Sequence, residues 1–273
     1  MPELPEVETI RRQLDKVLAG QVIGNVQVLQ KKSLQGETLK VVGKRILGVE
    51  RKAKMIIIRL SGELNLLIHL KMTGQLVYTS KFEARSTKFE TKYTRVIFEL
   101  DKGRFLFNDL RLFGWIKIVN DKQIKEILGK MPPDVVDKEF TPHLLQNILR
   151  SSGQAVKIVL MDQQKIGGIG NIYANESLFA SGINPTRRAN KITKEQVKKL
   201  HENIKKVINQ GIKYGGSTAS DENFVNALGK PGKYQEHFLA YERQGKQCHK
   251  CGSVIKKIKL GGRGTYFCQK CQK

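Results

Sequence analysis

Residues 55–70 read MIIIRLSGELNLLIHL. Two runs of β-branched and long aliphatic side chains, 55–60 and 64–70, flank Ser-Gly-Glu, a composition that favours extended strands around a turn. Working outward, similar short runs fall at 22–29, 95–100, 105–108 and 115–119, with Asp101-Lys102-Gly103 as a hairpin signal. Many short strands with turns between them predict a β-sandwich or flattened barrel. One helix precedes them, because Val7, Ile10, Leu14 and Val17 recur at helical spacing and Gly20 supplies a stop. After a Pro-bearing linker near 129–134 the pattern turns helical. Helices are predicted over 142–150, 154–162, 171–181 and 194–214, the last opened by a capping box from Thr193 to Gln196. Residues 215–236 lack periodicity and predict a long loop, a feature usually tied to function or mobility. The fold class is therefore α+β, an N-terminal β-sandwich with a flanking helix, then a helical C-terminal part.

The chain has 273 residues, 49 Lys plus Arg and 25 Asp plus Glu, a formal charge of +24. Such a surplus selects a polyanionic partner, nucleic acid or an anionic membrane surface. No apolar run is long enough to span a bilayer. The acidic, Pro-bearing start MPELPEVE is unlike a signal peptide, so a cytosolic, soluble protein is expected.

All four cysteines lie near the C-terminus as C-x2-C-x16-C-x2-C: Cys248, Cys251, Cys268 and Cys271. That spacing suits a four-thiolate zinc site, each C-x2-C pair aiming two sulfurs at one point. Gly261, Gly262 and Gly264 provide a short hairpin between the pairs. Two disulfides are the alternative, disfavoured in a reducing compartment. His249 reads as a neighbouring surface group rather than a further ligand.

Two other stretches carry chemistry. Lys165-Ile-Gly-Gly-Ile-Gly-Asn171 lacks the Lys-Ser/Thr ending of a P-loop and joins two helices. Asn171 opens the second helix, where either a phosphate site or a plain N-cap fits, and both can hold together. At the N-terminus, removal of Met1 would leave Pro2 with a free secondary amine able to attack an electrophilic carbon. Glu3 and Glu6 lie beside it as possible acids or bases, although Glu6 and Glu8 equally suit a helix's first turn.

Three motifs then point the same way. Met1-Pro-Glu-Leu-Pro-Glu-Val-Glu-Thr9 resembles the opening of the bacterial formamidopyrimidine-DNA glycosylases, also called 8-oxoguanine DNA glycosylases. Gly168-Ile-Gly-Asn-Ile-Tyr-Ala-Asn-Glu176 resembles that family's helix–two-turns–helix motif, and Gly262-Arg-Gly-Thr-Tyr-Phe-Cys268, with the four cysteines, its zinc finger. The resemblance runs from end to end. It implies a catalytic β-sandwich domain over 1–130, a helical domain over 131–236 and a zinc finger over 237–273 with one structural Zn2+, acting as a monomer on duplex DNA held between the first two. Pro2 would attack the deoxyribose anomeric carbon and form a Schiff base, with Glu3 the acid that opens the sugar and Glu6 near the flipped base. Lys54, in Arg51-Lys-Ala-Lys54, together with Asn171 and Arg263, would hold the backbone beside the lesion. Met72, in His69-Leu-Lys-Met-Thr-Gly74, and Arg111 and Phe113, in Asp109-Leu-Arg-Leu-Phe-Gly114, would fill the hole left by the flipped base. The loop 216–234 would close over that base, with backbone groups of 217–220 in contact. The implied activity is removal of oxidised purines with β,δ-elimination at the abasic site, in the bacterial cytosol. Lys71, Leu110 and Leu112 depart from the residues the family leads one to expect. An endonuclease VIII-like enzyme for oxidised pyrimidines is the nearest rival, opposed by Leu4 and the intact Met-Arg-Phe set. A non-catalytic zinc-ribbon binder would need neither Pro2 nor Glu3.

Overall fold

The structure is a computed structural model that describes residues 1–80, 89–219 and 224–273. The chain forms two compact units, one of Met1–Lys130 with Ile212–Gln235 and one of Met131–Gly211 with Glu236–Lys273.

In the first unit, helix α1 (Leu4–Leu18) starts at a proline turn and buries Leu4, Val7, Ile10, Leu14 and Leu18. The strands are β1 (Ile23–Val28), β2 (Leu34–Gln35), β3 (Ile46–Lys52), β4 (Met55–Leu60), β5 (Leu64–His69), β6 (Gly74–Ser80), β7 (Thr94–Leu100), β8 (Gly103–Asp109) and β9 (Trp115–Asn120). They make a sheet ordered β1-β7-β8-β6 and another ordered β2-β9-β5-β4-β3. Ile56, Ile58, Leu66 and Ile68 of one sheet and Leu76, Val96, Phe98, Phe105 and Phe107 of the other share a single core with α1. This is the expected sandwich with its flanking helix.

The opening run is apolar at consecutive positions because both of its faces are covered. Ile56 and Ile58 enter the sandwich core, while Ile57 and Leu67 pack on a second helix, α2 (Asp121–Gly129), through Ile124, Ile127 and Leu128. Helix α2 and strands β2, β3 and β6 lie outside the elements expected from the sequence. The predicted loop also differs in its packing from the expected division, which grouped it with the helices. Residues 224–235 belong to the first unit: Gln13 Oε1 accepts from the Ala227 N–H at 3.0 Å, the Tyr78 N–H donates to the Ala227 carbonyl at 2.8 Å, and Phe224 and Ala227 are in the sandwich core.

The second unit contains α3 (Pro142–Arg150), α4 (Val156–Met161), α5 (Asn171–Ser181), most of α6 (Lys194–Lys213) and the hairpin β10 (Lys256–Leu260) and β11 (Arg263–Phe267). Helix α6 buries Val197, Leu200, Ile204, Val207 and Ile208 and turns its lysines outward, and Thr193 and Gln196 exchange the expected capping-box bonds. Among the described residues no helix is long and apolar enough to cross a membrane.

Candidate active site and zinc centre

Chain ends ordinarily fray, but here Pro2, Glu3 and Glu6 are all buried. Glu3 is the N-cap of α1 in a capping box with Glu6. The Glu6 carboxylate is 0% exposed and held from two sides: Oε2 accepts from the Glu3 N–H at 2.8 Å and Oε1 from the Ser217 N–H at 2.7 Å. The second bond needs a close backbone approach. A Cβ at Gly216, whose φ is +80°, would lie 2.8 Å from Glu6 Cγ, so only glycine fits. The Ser217 hydroxyl is buried and has no partner among the described residues. Ser220 of the expected contact segment lies outside the described residues.

Lys54 sits in the two-residue turn between β3 and β4, after Ala53 at φ +51°, and is only 4% exposed. Arg51 braces the turn by donating from Nη1 to the Ala53 carbonyl at 2.9 Å. Its Nε donates to Glu8 Oε2 at 2.9 Å and ties the turn to α1. Glu8 also accepts from Arg11 and Arg12, both at 2.7 Å. Burial alone would raise the Glu8 carboxyl, but the Arg11, Arg12 and Arg51 hydrogen bonds and the charge of Arg51 bring it down to about 2. With a folded value below the ordinary 4.5, its stabilisation is full above that ordinary value and is lost as pH falls from there through about 2. Glu8→Gln is therefore expected to lower the melting temperature at pH 7 and to flatten its decline between pH 4.5 and 2. An acid limb identical to the parent's would remove Glu8 from this role.

His69 faces Met55 in register and is held well below the usual imidazole range, at about 3, by burial and then by the charges of Lys71 and Lys54. Its Nδ1 accepts from the Lys71 N–H at 3.0 Å, so the neutral ring carries its proton on Nε2. Nothing in the sequence singles out His69, a lone histidine within a strand.

Met72, Arg111 and Phe113 are brought together by a residue the sequence reading also missed. Asp109 is fully buried; Oδ1 accepts from Thr73 Oγ1 at 2.5 Å and the Arg111 N–H at 3.2 Å, and Oδ2 from the Gly114 N–H at 2.7 Å. One carboxylate thus pins both loops. Arg111 Nη1 lies 3.3 Å from Met72 Sδ, and its guanidinium carbon 4.8 Å from the centre of the Phe113 ring. Phe113 is 51% exposed, which excludes an ordinary core role. Leu110 and Leu112 are exposed beside it, Leu112 at φ +56°, a strained value for a side chain of that bulk.

In the second unit Gly170, not Asn171, is the N-cap of α5, which corrects the capping expectation. Asn171 is the first helical residue. Gln163 braces the preceding glycine turn, donating to the Ile169 carbonyl at 2.6 Å and accepting from the Gly168 N–H at 3.2 Å. Arg263 is exposed beside the Gly261-Gly262 turn of the β10–β11 hairpin.

The four cysteines are free thiols, not disulfides. Their sulfurs all lie within 4.8 Å of one another, with Cys248–Cys271 at 3.9 Å and Cys251–Cys268 at 3.5 Å. A tetrahedral zinc with Zn–S near 2.3 Å needs sulfurs about 3.8 Å apart, so the set fits one structural zinc. His249 is exposed and outside the group.

Family models match in three consecutive stretches: the formamidopyrimidine-DNA glycosylase N-terminal domain over residues 1–116, its H2TH domain over 131–223, and the zinc finger found in FPG and IleRS over 245–273. The formamidopyrimidine-DNA glycosylase of Desulforamulus reducens is 38% identical, covering 100% of this chain and 99% of its own, and that of Carboxydothermus hydrogenoformans is 37% identical with 100% of each covered. Among solved structures, the Thermus thermophilus MutM (Fpg) protein has a TM-score of 0.89 at 33% identity, over 99% of this chain and 98% of its own. Lactococcus lactis Fpg in complex with DNA containing N7-benzyl-Fapy-dG has a TM-score of 0.91 at 30% identity, with 100% of both chains covered. Matched from first residue to last in sequence and in fold, the chain belongs to the formamidopyrimidine-DNA glycosylase family, DNA glycosylases with abasic-site lyase activity.

Proposed function

We propose that Pro2, once Met1 is removed, is the nucleophile by which this base-excision-repair glycosylase releases oxidised purines from duplex DNA. The buried N-terminus carries this reading: Glu6, tied to both Glu3 and Ser217, holds the residue next to Pro2 in a built site. The Pro2 nitrogen donates its lone pair to the anomeric carbon, the bond from that carbon to the base breaks, and the base leaves with the bonding electrons and takes up the proton that the nitrogen sheds. Glu3 protonates the ring oxygen as the sugar opens, which yields the iminium. Loss of the proton from the neighbouring sugar carbon expels the 3′ phosphate, and a second elimination expels the 5′ phosphate. An amine nucleophile accounts for this lyase step, which activated water does not.

A base inside a duplex has to be flipped out, at a cost of a few kcal/mol. Met72 and Phe113 replace the lost stacking and Arg111 pairs with the orphaned base. A cavity of about 420 Å³ lined by Thr73, Asn108, Asp109, Thr218 and Phe224 gives room beneath the capping loop. Lys54, Asn171 and Arg263 hold the backbone, Lys54 and Arg263 by charge. In this reading residues 1–130 together with the capping loop carry the chemistry, the stretch from 131 to 211 carries the helix–two-turns–helix motif, and 237–273 the finger, whose zinc is structural and takes no part in the reaction. The place of action is the bacterial cytosol, where thiolate ligands stay reduced, and the working form is a monomer.

Borohydride trapping on a duplex with one 8-oxoguanine opposite cytosine tests the reading. Glu3→Gln is expected to lose on the order of 10²-fold or more in base excision and to keep trapping on a preformed abasic site, whose sugar opens to the aldehyde without an acid from the protein. Full excision by Glu3→Gln would take the acid role from Glu3. Absence of any adduct from protein with a verified Pro2 terminus would sink the nucleophile, and preference for thymine glycol would favour the pyrimidine branch.

A further inference from the structure

Asn175 lies in the first half of α5 and is 1% exposed, among the buried Ile172, Tyr173, Leu178 and Phe179. Asparagine is a poor choice for a helix interior, because its side chain competes with the backbone for hydrogen bonds. Burying a primary amide is costly unless both of its ends are satisfied, and here both are. Nδ2 donates to the Asn171 carbonyl at 2.6 Å, with Asn171 Oδ1 3.4 Å away. Oδ1 accepts from the Tyr266 N–H at 2.8 Å. Tyr266 is in β11, the strand that begins at Arg263. A single planar amide therefore has its donor end on the residue that opens α5 and its acceptor end on the finger hairpin.

The neighbouring bonds leave this hairpin little freedom of its own. Lys157 Nζ, on α4, donates to the Gly264 carbonyl at 2.9 Å and to Thr265 Oγ1 at 2.7 Å. Gly264, Thr265 and Tyr266, the three residues that follow Arg263, are thus each held by a buried side chain of a helix. Lys157 ties the hairpin to α4, where no phosphate-holding residue is proposed. Asn175 alone of the two reaches Asn171.

We propose that Asn175 is a positioning residue that sets Arg263 against Asn171, so that both engage the same stretch of DNA backbone. The inference rests on the backbone-holding roles proposed for those two residues. Its observable is coupling: Arg263 and Asn171 should each be worth less to binding when the amide that aligns them is gone.

The test uses full-length zinc-loaded protein and a duplex with a non-cleavable abasic analogue. Binding is measured against salt for Asn175→Leu, which is neutral, similar in volume and unable to make either bond. Zinc content is expected to stay at one per chain and affinity to fall about tenfold, the worth of one hydrogen bond to a charged group. The slope of log K against log salt should shrink by about 0.9 for each phosphate that the protein no longer neutralises. Arg263→Ala should cost clearly less in the Asn175→Leu background than in the parent. A purely structural asparagine would lower the melting temperature while leaving the salt slope and the cost of Arg263→Ala as they were, and that result overturns the inference. Asn175→Ser, which removes the link with a small polar group, is measured in parallel and must show the same loss of slope and coupling. It decides the question if the leucine variant fails to fold. If Arg263→Ala and Asn171→Ala do not weaken binding in the parent, the underlying site reading has failed instead.

Discussion

A chain that retains Met1 is expected to bind lesion-bearing duplex and to give no covalent adduct on borohydride reduction. In that chain the Pro2 nitrogen is a tertiary amide, with no proton and with its lone pair delocalised into the Met1 carbonyl. Removing Met1 converts the same atom to a secondary amine without altering a side chain. Because Pro2 and Glu3 are buried and Glu6 is anchored to Ser217, the rest of the site stays assembled in both forms. The comparison therefore isolates nucleophilicity from folding, which a substitution at Pro2 does less cleanly. A lost nucleophile costs on the order of 10⁴-fold or more in the chemical step, and the abasic-site lyase should fall with the glycosylase because both pass through the Schiff base. Mass spectrometry establishes the terminus, trapping reads the adduct, and anisotropy with a non-cleavable analogue reads binding. An adduct formed by the Met1-retaining chain at the processed chain's rate would remove Pro2 from the mechanism.

Zinc removal is expected to have the second largest effect, on binding rather than on the chemistry. Residues 245–273 are too few to bury a core of their own, and four-thiolate zinc binding is worth about 10–16 kcal/mol to a fold of this size. The knuckle also docks on the end of helix α5 and the turn after it: Lys250 Nζ reaches the Phe179 and Ala180 carbonyls at 3.3 Å, and Gln272 donates to the Ile183 carbonyl at 2.9 Å. Without metal the β10–β11 hairpin loses its base, and Arg263 with it. This segment holds eight Lys or Arg from 246 onward and no Asp or Glu, so much of the basic surplus is lost from the interface at once. Chelation or Cys268→Ser is expected to lower affinity for lesion duplex by about 10²–10³-fold at moderate salt, while circular dichroism retains the signature of the first unit's sheets. Unchanged binding after verified zinc loss would overturn the finger's role.

The elements legible in the sequence were those with strong local signals. Helices α3 and α5 occur over the ranges predicted, β4 spans the run at 55–60, and β5 stops one residue short of 70. The missed strands of the sandwich, β2, β3 and β6, are all at sheet edges, β2 and β3 bounding one sheet and β6 closing the other. Edge strands carry charges and small polar residues to discourage further pairing, so Ile-Leu-Gly-Val-Glu-Arg-Lys and Gly-Gln-Leu-Val-Tyr-Thr-Ser lack the density of a central strand. Helix α2 was obscured because one short apolar stripe between polar residues resembles a linker.

The site divides along the same line. The cysteine knuckles, the hairpin between them and the strand–turn–strand texture follow from interactions a few residues apart, where spacing and turn chemistry suffice, so the sequence by itself determined the zinc ligands and the class of the fold. Ser217 meets Glu6 across 211 residues, Asp109 meets Thr73 across 36, and Tyr266 meets Asn175 across 91. No local pattern encodes such pairs, because each partner is an ordinary polar residue whose burial and orientation come only from the packing of elements distant in the chain. The tertiary structure alone decided that Glu6 is clamped, that Asp109 gathers Met72, Arg111 and Phe113, and that one asparagine links the start of a helix to the finger hairpin.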